Sequence, residues 1–301
     1  MSLAPEILQR VAAIRDDRAN GASFLAREAA LAMREAAARS QAADTAALLA
    51  EQAELAKLLM AARPAMASVY NMVFRLQKAI SNQKTLDRES ARRYITATTD
   101  AAIKESLEAV GAIARHGASL LAHDRSVLTH SYSATVRAVL EAALRDNPNL
   151  EVVVTRSGAG RTGERTVREL AAAGRRITFI DDTAMCLALE SVDRVLVGAD
   201  RICADGTLVN GVGTCPLAMA ARRYEVPLYC CCETLKFDPR VTGDTVELEE
   251  QDPAAVAAPG ALPPGVTVKN PCFDLTPRVL LYGIITEKGL IAAADLKTYL
   301  N

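Results

Sequence analysis

The chain changes its hydrophobic period near residue 126, and this change limits what it can fold into. Beyond that point, short β-branched runs alternate with helical segments: SVLTH, EVVVT, RRITFI, DRVLVGAD and PLYCCC. Such alternation predicts an α/β fold with a doubly wound, mainly parallel sheet that helices cover on both faces. Before that point the apolar residues keep helical spacing, as in SFLAREAALAMREAAARS. We predict an N-terminal helical domain, residues 1–120, and a sheet domain, residues 121–301.

The ends of the predicted strands are where functional side chains are expected. In doubly wound sheets, ligands bind beyond the carboxyl ends of the strands. The residues that follow the five runs are His130 to Ser133, Arg156 to Gly163, Asp181 and Asp182, Gly198 to Asp200, and Glu233 to Lys236.

Bulk composition argues against several classes of partner. The 35 Lys and Arg residues nearly balance 36 Asp and Glu, so no whole-protein field attracts nucleic acid or anionic lipid. The chain has no Trp and only 4% aromatic residues, which is poor material for stacking on bases. The N-terminal segment carries charges where a signal peptide needs an apolar stretch. We therefore expect a cytoplasmic protein without nucleic-acid or membrane partners.

The seven cysteines do not form a metal-binding pattern. No C-x-x-C pair occurs, and three of the seven are consecutive, Cys230 to Cys232. Neighbours on a strand point to opposite faces of the sheet, so this trio suits neither a disulfide nor a single metal. We expect reduced, buried thiols and no bound metal.

The segment GAGRTG, from Gly158 to Gly163, matches the G-x-G-x-x-G pattern of dinucleotide-binding proteins. Asp181 and Asp182 follow at about the spacing of roughly 20 residues that this fingerprint expects. However, the fingerprint belongs on the first β–α turn of its domain, and here SVLTHSYSATVRAVLEAAL precedes it. NAD binding is therefore kept as an alternative. In the other interpretation, the glycines, which have no side chains, keep this loop compact beside the ligand cleft.

Taken together, the blocks at the strand ends resemble a known superfamily. These blocks are VLTHSYSATV, FIDDTA, VDRVLVGADRICADGTLVNGVGT, VPLYCCCETLKFDP and NPCFDLTPRVLLYGIITEKGLI. They are similar to blocks shared by the α, β and δ regulatory subunits of eukaryotic translation initiation factor 2B, methylthioribose-1-phosphate isomerase and ribose-1,5-bisphosphate isomerase. The resemblance covers about residues 120 to 301 and extends more weakly to DRANGASFLAREA. It implies a helical domain, a Rossmann-like domain and a homodimer or higher oligomer, with no cofactor.

The block GADRICADGTLVNGVGT carries the residue that this resemblance implies is catalytic, Asp200. Asp200 ends a β-run, and an aldose–ketose shift needs a proton moved between adjacent carbons, which a positioned carboxylate can do. The alternative is that Asp200 only caps the following turn. The resemblance implies substrate contact for Asn210, although this chain has Gly211 where relatives usually carry Lys. Gly213 and Thr214 fit a helix N-terminus that could receive an oxyanion through backbone N–H groups.

The block THSYS departs from the isomerases. They carry a catalytic Cys where this chain has Ser131, and an unaided hydroxyl does not reach the useful pKa of a tuned thiol. Either the chemistry is altered or the chain binds without turnover. Around this block the sequence is more similar to regulatory subunit α, although that subunit has Glu at the position of Asp200. His130, at a strand end, is expected to be structural.

Phosphate-binding side chains are expected from two further segments. In ETLKFDP the resemblance implies that Lys236 is a phosphate ligand, and the alternative is an ordinary surface lysine. In DRANGAS, Arg18 supplies charge, while Gly21 and Ala22 open a helix whose free N–H groups bind anions. A helix cap built by nearby polar side chains, Asn20 and Ser23, is compatible with that cradle.

Because this chain has Gly211 where relatives usually carry Lys, another residue would have to supply that positive charge. Relatives carry a differently composed loop in place of GAGRTG, often with a Glu and an Arg-Pro pair. Our hypothesis is that Arg156 or Arg161 of this loop supplies the charge.

The leading hypothesis is a sugar-phosphate isomerase of the aldose–ketose type, or an isomerase-derived binder of a phosphorylated pentose or nucleotide-like sugar phosphate. Asp200 would move protons, Ser131 would orient a sugar hydroxyl, and Lys236 with Arg18 would anchor phosphate. The second hypothesis is a regulatory subunit like those of translation initiation factor 2B, acting by protein–protein contact. The third is an NAD-dependent oxidoreductase.

Overall fold

The computed structural model describes residues 3–172 and 175–300 of the chain. Its contacts divide the chain into two compact units, which meet between Glu108 and Ala109. The division lies inside a long helix that ends at Leu120, rather than at the end of that helix. The reason is that the last turns of the helix place Ile113 and Ala118 in the core of the second unit.

The first unit is built from helices packed through small side chains. Its helices are α1 (Pro5–Asp16), α2 (Ala22–Arg39), α3 (Thr45–Ala62), α4 (Ala67–Ser81) and the first part of α5 (Arg88–Leu120). The buried face of α2 is mostly alanine, which lets neighbouring helices approach closely. Helix α3 begins at Asp44, whose side chain accepts a hydrogen bond from the N–H of Ala47, and ends just before Pro64. The helical expectation for this half is confirmed.

The second unit contains a seven-stranded sheet in the order β11-β10-β7-β4-β1-β2-β3. All neighbours in it are parallel except β10 and β11. The strands are β1 (Ser126–His130), β2 (Glu151–Thr155), β3 (Ile177–Ile180), β4 (Arg194–Val197), β7 (Leu228–Cys231), β10 (Gly283–Thr286) and β11 (Gly289–Ala292). The helices are α6 (Ala134–Asp146), α7 (Gly163–Ala171), α8 (Met185–Leu189), α9 (Thr214–Arg223) and α10 (Leu296–Leu300).

The central strands of the sheet are buried on both faces, as the continuous apolar runs predict, whereas the edge strands β3 and β11 are partly exposed. Val152 and Val154 of β2 lie in one hydrophobic cluster, and Val153 between them lies in the other. The three consecutive cysteines alternate in the same way, with Cys231 on one face and its two neighbours on the other. All three are buried free thiols, so the doubly wound prediction and the reading of these cysteines as core residues both fit the structure.

A second, four-stranded sheet lies beyond the end of β4 and was not predicted. Its order is β8-β5-β6-β9. Its strands are β5 (Arg201–Cys203), β6 (Leu208–Gly211), β8 (Phe237–Asp238) and β9 (Phe273–Thr276). The hairpin of β5 and β6 brings the GAD and NG segments of one sequence block side by side, and the N–H of Asp200 donates to the carbonyl of Val209 at 2.9 Å.

The Pro- and Gly-rich segment 251–267 has the irregular backbone of a loop and contains a single short 3-10 turn, Pro253–Ala255. Across the described ranges of the chain, every helix is too short or too polar to cross a membrane.

We predict that alanine in place of Gly163 destabilises the protein by at least about 2 kcal/mol. Gly163 opens α7 against the end of β2, and a Cβ there would lie 1.8 Å from the backbone oxygen of Thr155. Gly111→Ala is the matched control, because a Cβ there meets only an Arg115 guanidinium nitrogen at 3.8 Å in mid-helix. That control should gain roughly 0.5–1 kcal/mol. Chemical denaturation measures both, and equal effects would contradict the packing argument.

Candidate active site

The predicted residues of the second unit meet where the strand order reverses. Strands β1 and β4 are adjacent, with His130 opposite Val197 in register, and the chain leaves them in opposite directions across the sheet. Ser131 follows β1, and Gly198 to Asp200 follow β4. This crevice beyond the carboxyl ends is where doubly wound sheets bind ligands.

Close contacts join the loop after β1 to the loop after β4 and to β6. A Cβ on Gly198 would lie 2.6 Å from Oγ of Ser133 and 3.7 Å from Oδ1 of Asn210. A Cβ on Gly211 would lie 2.6 Å from Oγ of Ser131. The Ser131 side chain therefore occupies the space that a side chain at residue 211 would need. The structure thus brings Ser131, Asn210 and Gly211 together.

Lys236 reaches the same crevice from the turn after β7. Its side chain is 3% exposed, and its Nζ donates to the carbonyl of Ala199 at 2.7 Å. The ammonium is therefore fixed beside the residue that precedes Asp200, and the alternative of an ordinary surface lysine is wrong.

Asp200 itself is half-buried, and its neighbour belongs to a different cluster. Arg201 is buried on β5, with its Nε 3.2 Å from Oδ2 of the fully buried Asp238. Arg240 also donates to Asp238, through two bonds of 2.8 Å. Burial lowers the pKa of Arg201, while Asp238 opposes that shift. Asp200 directly precedes β5, and its negative charge also acts to raise the pKa of Arg201.

Ser131 has a backbone conformation that is uncommon for a residue with a side chain. Its φ is 68°, in the left-handed region. Its N–H donates to Oγ of Ser157 at 2.7 Å, and its hydroxyl lies 3.4 Å from the hydroxyl of Thr162. Ser131 is therefore held by the GAGRTG loop, and its hydroxyl is set beside a second hydroxyl.

His130 is structural, as the sequence favoured. It is 1% exposed, and its Nε2 donates to the carbonyl of Val212 at 2.9 Å. Its Nδ1 then accepts from the hydroxyl of Thr155 at 2.7 Å. Burial lowers the pKa of His130, because a charged ring would lose its hydration there. The neutral ring joins β1, β2 and the loop before α9.

Two backbone N–H groups where the GAGRTG loop begins are occupied by a carboxylate of the protein itself. Ser157 and Gly158 have φ values of 70° and 67°, so their N–H groups converge. They donate to Asp182 at 2.8 and 2.6 Å. The acidic residue that the dinucleotide fingerprint would assign to a ribose instead closes this anion cradle.

Backbone N–H groups at the N-terminus of α9 are likewise bonded to a carboxylate of the protein. Gly213, with a φ of 106°, and Cys215 donate their N–H groups to Oδ2 of Asp274 at 2.7 and 3.0 Å. Burial raises the pKa of Asp274, while these N–H groups act in the opposite direction. Thr214 accepts from the amide of Asn210 at 2.9 Å and so fixes that side chain. The oxyanion predicted at Gly213 and Thr214 is thus supplied by Asp274, and a ligand oxyanion there would have to displace it.

The two arginines proposed to replace the charge missing at Gly211 both pair with local carboxylates. Nη1 of Arg156 lies 3.3 Å from Oδ2 of Asp181, and both side chains are about half exposed. Arg161 forms a close ion pair with Glu164 on the first turn of α7. Their compensating role therefore remains a hypothesis.

The remaining predicted phosphate ligands lie in the helical unit. Arg18 is exposed and donates to the carbonyl of Arg15 at 2.7 Å. Gly21 is the N-cap of α2, which begins at the buried Ala22. The preceding turn is closed by Asp17, which accepts two N–H bonds of 2.8 Å, so the cap differs from the expected pairing of Asn20 and Ser23.

The strand-end ranges singled out in the sequence include Ser157, Thr162 and Asp182, but the contacts that these residues make were not predicted, and Asp274 was missed altogether. The signal for Asp182 was present, since an acidic residue followed β3, but its distance along the chain was interpreted as a dinucleotide contact. Nothing local in the sequence connects Asp274 with α9. Within the described residues, no three His, Cys, Asp or Glu side chains group as a metal site would require.

Comparison with known proteins agrees with this architecture. The model of the Initiation factor 2 subunit family matches residues 18–293. The chain belongs to this family.

Three relatives illustrate the range of this family. The ribose 1,5-bisphosphate isomerase of Haloferax volcanii is 33% identical over 288 residues, covering 95% of this chain and 88% of the relative. A putative translation initiation factor eIF-2B subunit 2-like protein of Pyrococcus furiosus is 32% identical over 228 residues, 76% of each chain. The crystal structure of the Pyrococcus horikoshii translation initiation factor eIF-2B superposes with a TM-score of 0.83 at 30% identity, covering 96% of this chain and 98% of that chain. The resemblance drawn from the motifs is confirmed.

We predict that Gly211→Ala lowers stability by roughly 1–3 kcal/mol, because the new Cβ meets Oγ of Ser131. In a Ser131→Gly background the same substitution should cost much less, since the obstructing side chain is gone. A double-mutant cycle by thermal or chemical denaturation measures this coupling. An equal cost in both backgrounds would show that the two residues are independent.

Proposed function

We propose that the chain is a sugar-phosphate isomerase of the aldose–ketose type, or a sugar-phosphate binder derived from one. The observation that carries the proposal is the position of Asp200 directly after the central strand β4, at the strand-order reversal where Ser131 follows the adjacent strand β1. Its N–H donates to Val209, the residue before Asn210, and Nζ of Lys236 donates to the carbonyl of the preceding Ala199. The ribose 1,5-bisphosphate isomerases among its relatives support a phosphorylated pentose as ligand.

In the proposed reaction on a ribose phosphorylated at C1, the C1–O4 ring bond breaks as O4 takes a proton, and Asp200 removes the proton from C2 to give an enol. A proton is then returned to C1 while the C2 hydroxyl loses its proton, which leaves the C2 ketone. A half-buried carboxylate at a strand end suits this general acid–base role. Ser131 and Asn210 orient sugar hydroxyl groups, and Lys236 anchors a phosphate. Arg18 and the N–H groups at Gly21 and Ala22 stay a separate prediction of phosphate binding within the helical unit. The reaction moves only protons and an electron pair within one substrate, so it requires no redox cofactor.

Lys236 is buried and already bonded to the backbone, unlike an exposed lysine that binds phosphate. Its Nζ already donates to Ala199, and an ammonium carries three N–H donors. It can therefore keep that bond while donating to a phosphate. The buried position also strengthens the attraction, because less water screens the charge.

We predict that Asp200→Asn lowers kcat on ribose 1,5-bisphosphate by at least about 100-fold while ligand binding persists. Asparagine keeps the size of the side chain but cannot take a proton. Lys236→Met should chiefly weaken binding, because the phosphate loses its cation. Asp205→Asn is the control, since Asp205 is exposed on the β5–β6 turn, where it accepts bonds from Thr207 and from the N–H of Gly243. Unchanged turnover in Asp200→Asn would remove this residue from the mechanism.

A regulatory subunit like those of translation initiation factor 2B is the second candidate. Ser131 favours it, because a hydroxyl at this position lacks the reactivity of a thiol. The relatives named as translation initiation factors point the same way. Ribose phosphates that raise the melting temperature without being turned over would favour this candidate over the enzyme.

An NAD-dependent oxidoreductase is the weakest of the three candidates. The N–H groups of Ser157 and Gly158 donate to Asp182 and are not offered to a pyrophosphate. Stabilisation by NAD alone in a thermal-shift screen, with no response to ribose phosphates, would favour it over the isomerase.

A homodimer is also part of the proposal. Leu187 of α8 and Met219 of α9 are 71% and 60% exposed, and these helices lie against each other. We predict that Leu187→Asp shifts the molar mass in light scattering from dimer towards monomer, because a carboxylate cannot be buried there without a partner. Leu107→Asp, at an exposed leucine of α5, is the control. A dimeric Leu187→Asp variant would contradict this choice of interface.

A further inference from the structure

A cluster of aromatic and charged side chains connects the loop that carries Ser131 to helix α7. We call Tyr132, Arg137, Arg165 and Glu169 the Tyr132 cluster. The guanidinium carbon of Arg165 lies 3.9 Å from the centre of the Tyr132 ring. The hydroxyl of Tyr132 donates to Oε2 of Glu169 at 3.2 Å, and Nε of Arg165 donates to Oε1 of the same carboxylate at 2.8 Å. Nε of Arg137 lies 3.0 Å from Oε2 of Glu169.

The members of the Tyr132 cluster come from three separate elements. Tyr132 belongs to the loop between β1 and α6, and Arg137 lies on α6. Arg165 and Glu169 lie one turn apart on α7, which begins where the GAGRTG loop ends. All four side chains are half-buried, so the cation over the ring and the charged hydrogen bonds are only partly screened by water. The cluster therefore fixes the β1 loop relative to the helix that follows the glycine loop.

Ser131 is the residue that needs such support. Its φ of 68° is rarely adopted by a residue with a side chain, and such a conformation persists only where its surroundings hold it. On one side Ser131 is held by Ser157, which accepts its N–H. On the other side the next residue is Tyr132. The same arrangement sets the distance between the hydroxyls of Ser131 and Thr162.

We propose that Tyr132 is a positioning residue that holds Ser131 in its left-handed conformation, with its hydroxyl beside Thr162, through Arg165 and Glu169. The proposal rests on the proposed function only in assuming that Ser131 contacts the ligand. Burial raises the pKa of Tyr132, so its hydroxyl remains protonated at neutral pH and able to donate to Glu169. The ring of Tyr132 packs against the guanidinium of Arg165, and its hydroxyl donates to the carboxylate of Glu169, so both parts of the side chain hold it in place.

Kinetics on ribose 1,5-bisphosphate test whether Tyr132 acts through Ser131. Tyr132→Phe removes only the bond to Glu169, and we expect it to lower kcat/KM about tenfold with little change in melting temperature. In a Ser131→Ala background the same substitution should have no further effect, since the group it positions is absent. An equal loss in both backgrounds would overturn the proposal. Tyr224→Phe, at a partly exposed tyrosine after α9, is the control and should leave kcat/KM unchanged.

A crystal structure of a Tyr132→Leu variant tests the conformation without any ligand. This variant loses both the ring and the hydroxyl, and we expect Ser131 to leave the positive-φ region and its hydroxyl to move away from Thr162. An unchanged Ser131 would overturn the proposal, and Tyr132→Phe serves if the leucine variant does not fold. If ribose 1,5-bisphosphate neither binds nor reacts with the natural protein, the proposed function fails, whereas this structural measurement still decides the role of Tyr132.

Discussion

Two internal carboxylates hold the loops on which the crevice depends. Asp182 accepts the converging N–H groups of Ser157 and Gly158, and Asp274 accepts those at the start of α9. Unpaired N–H groups in such positions would cost free energy and would attract anions from solution. Because the protein fills both cradles itself, the loops are stable without a ligand. A phosphate in this crevice must then be met by cationic side chains rather than by these N–H groups.

This chain departs from the isomerase pattern at Ser131 and at Gly211, and these two positions are in steric contact. The thiol is replaced by the hydroxyl of Ser131, and the neighbouring cation is replaced by Gly211. A Cβ at residue 211 would lie only 2.6 Å from Oγ of Ser131, so a larger residue at 211 requires this side chain to shift. With the hydroxyl of Thr162 at 3.4 Å, the crevice offers a pair of neutral hydroxyls at this point. Such a pair suits hydrogen bonding to a sugar better than it suits attack on a carbonyl.

The sequence predicted the parts of this structure that depend on periodicity, and missed those that depend on long-range pairing. The five β-branched runs became strands of the main sheet, because their apolar residues can be buried on both faces. The strands of the small sheet are two to four residues long, too short for a period to be visible. At the site, the positions of Ser131, Asp200 and Lys236 followed from strand ends. The bonds of Asp182 and Asp274 did not follow in this way, because 24 or more residues separate these carboxylates from the N–H groups they accept.

Whether Arg156 or Arg161 can supply positive charge near Gly211 depends on the ion pair that each would have to give up. Arg161 is 59% exposed, and within residues 3–172 and 175–300 its ion pair is with Glu164, one turn along the chain. An ion pair exposed to this extent is worth at most about 1 kcal/mol, because water screens it. A charged hydrogen bond to a phosphate is worth about 1.5–3 kcal/mol, so recruitment of Arg161 by a ligand would be favourable overall. Arg156 is 44% exposed and pairs with Asp181, which is 52% exposed, and it stands before the six residues of GAGRTG, whereas Arg161 is one of them. The hypothesis of a compensating cation therefore favours Arg161, whereas Lys236 needs no rearrangement.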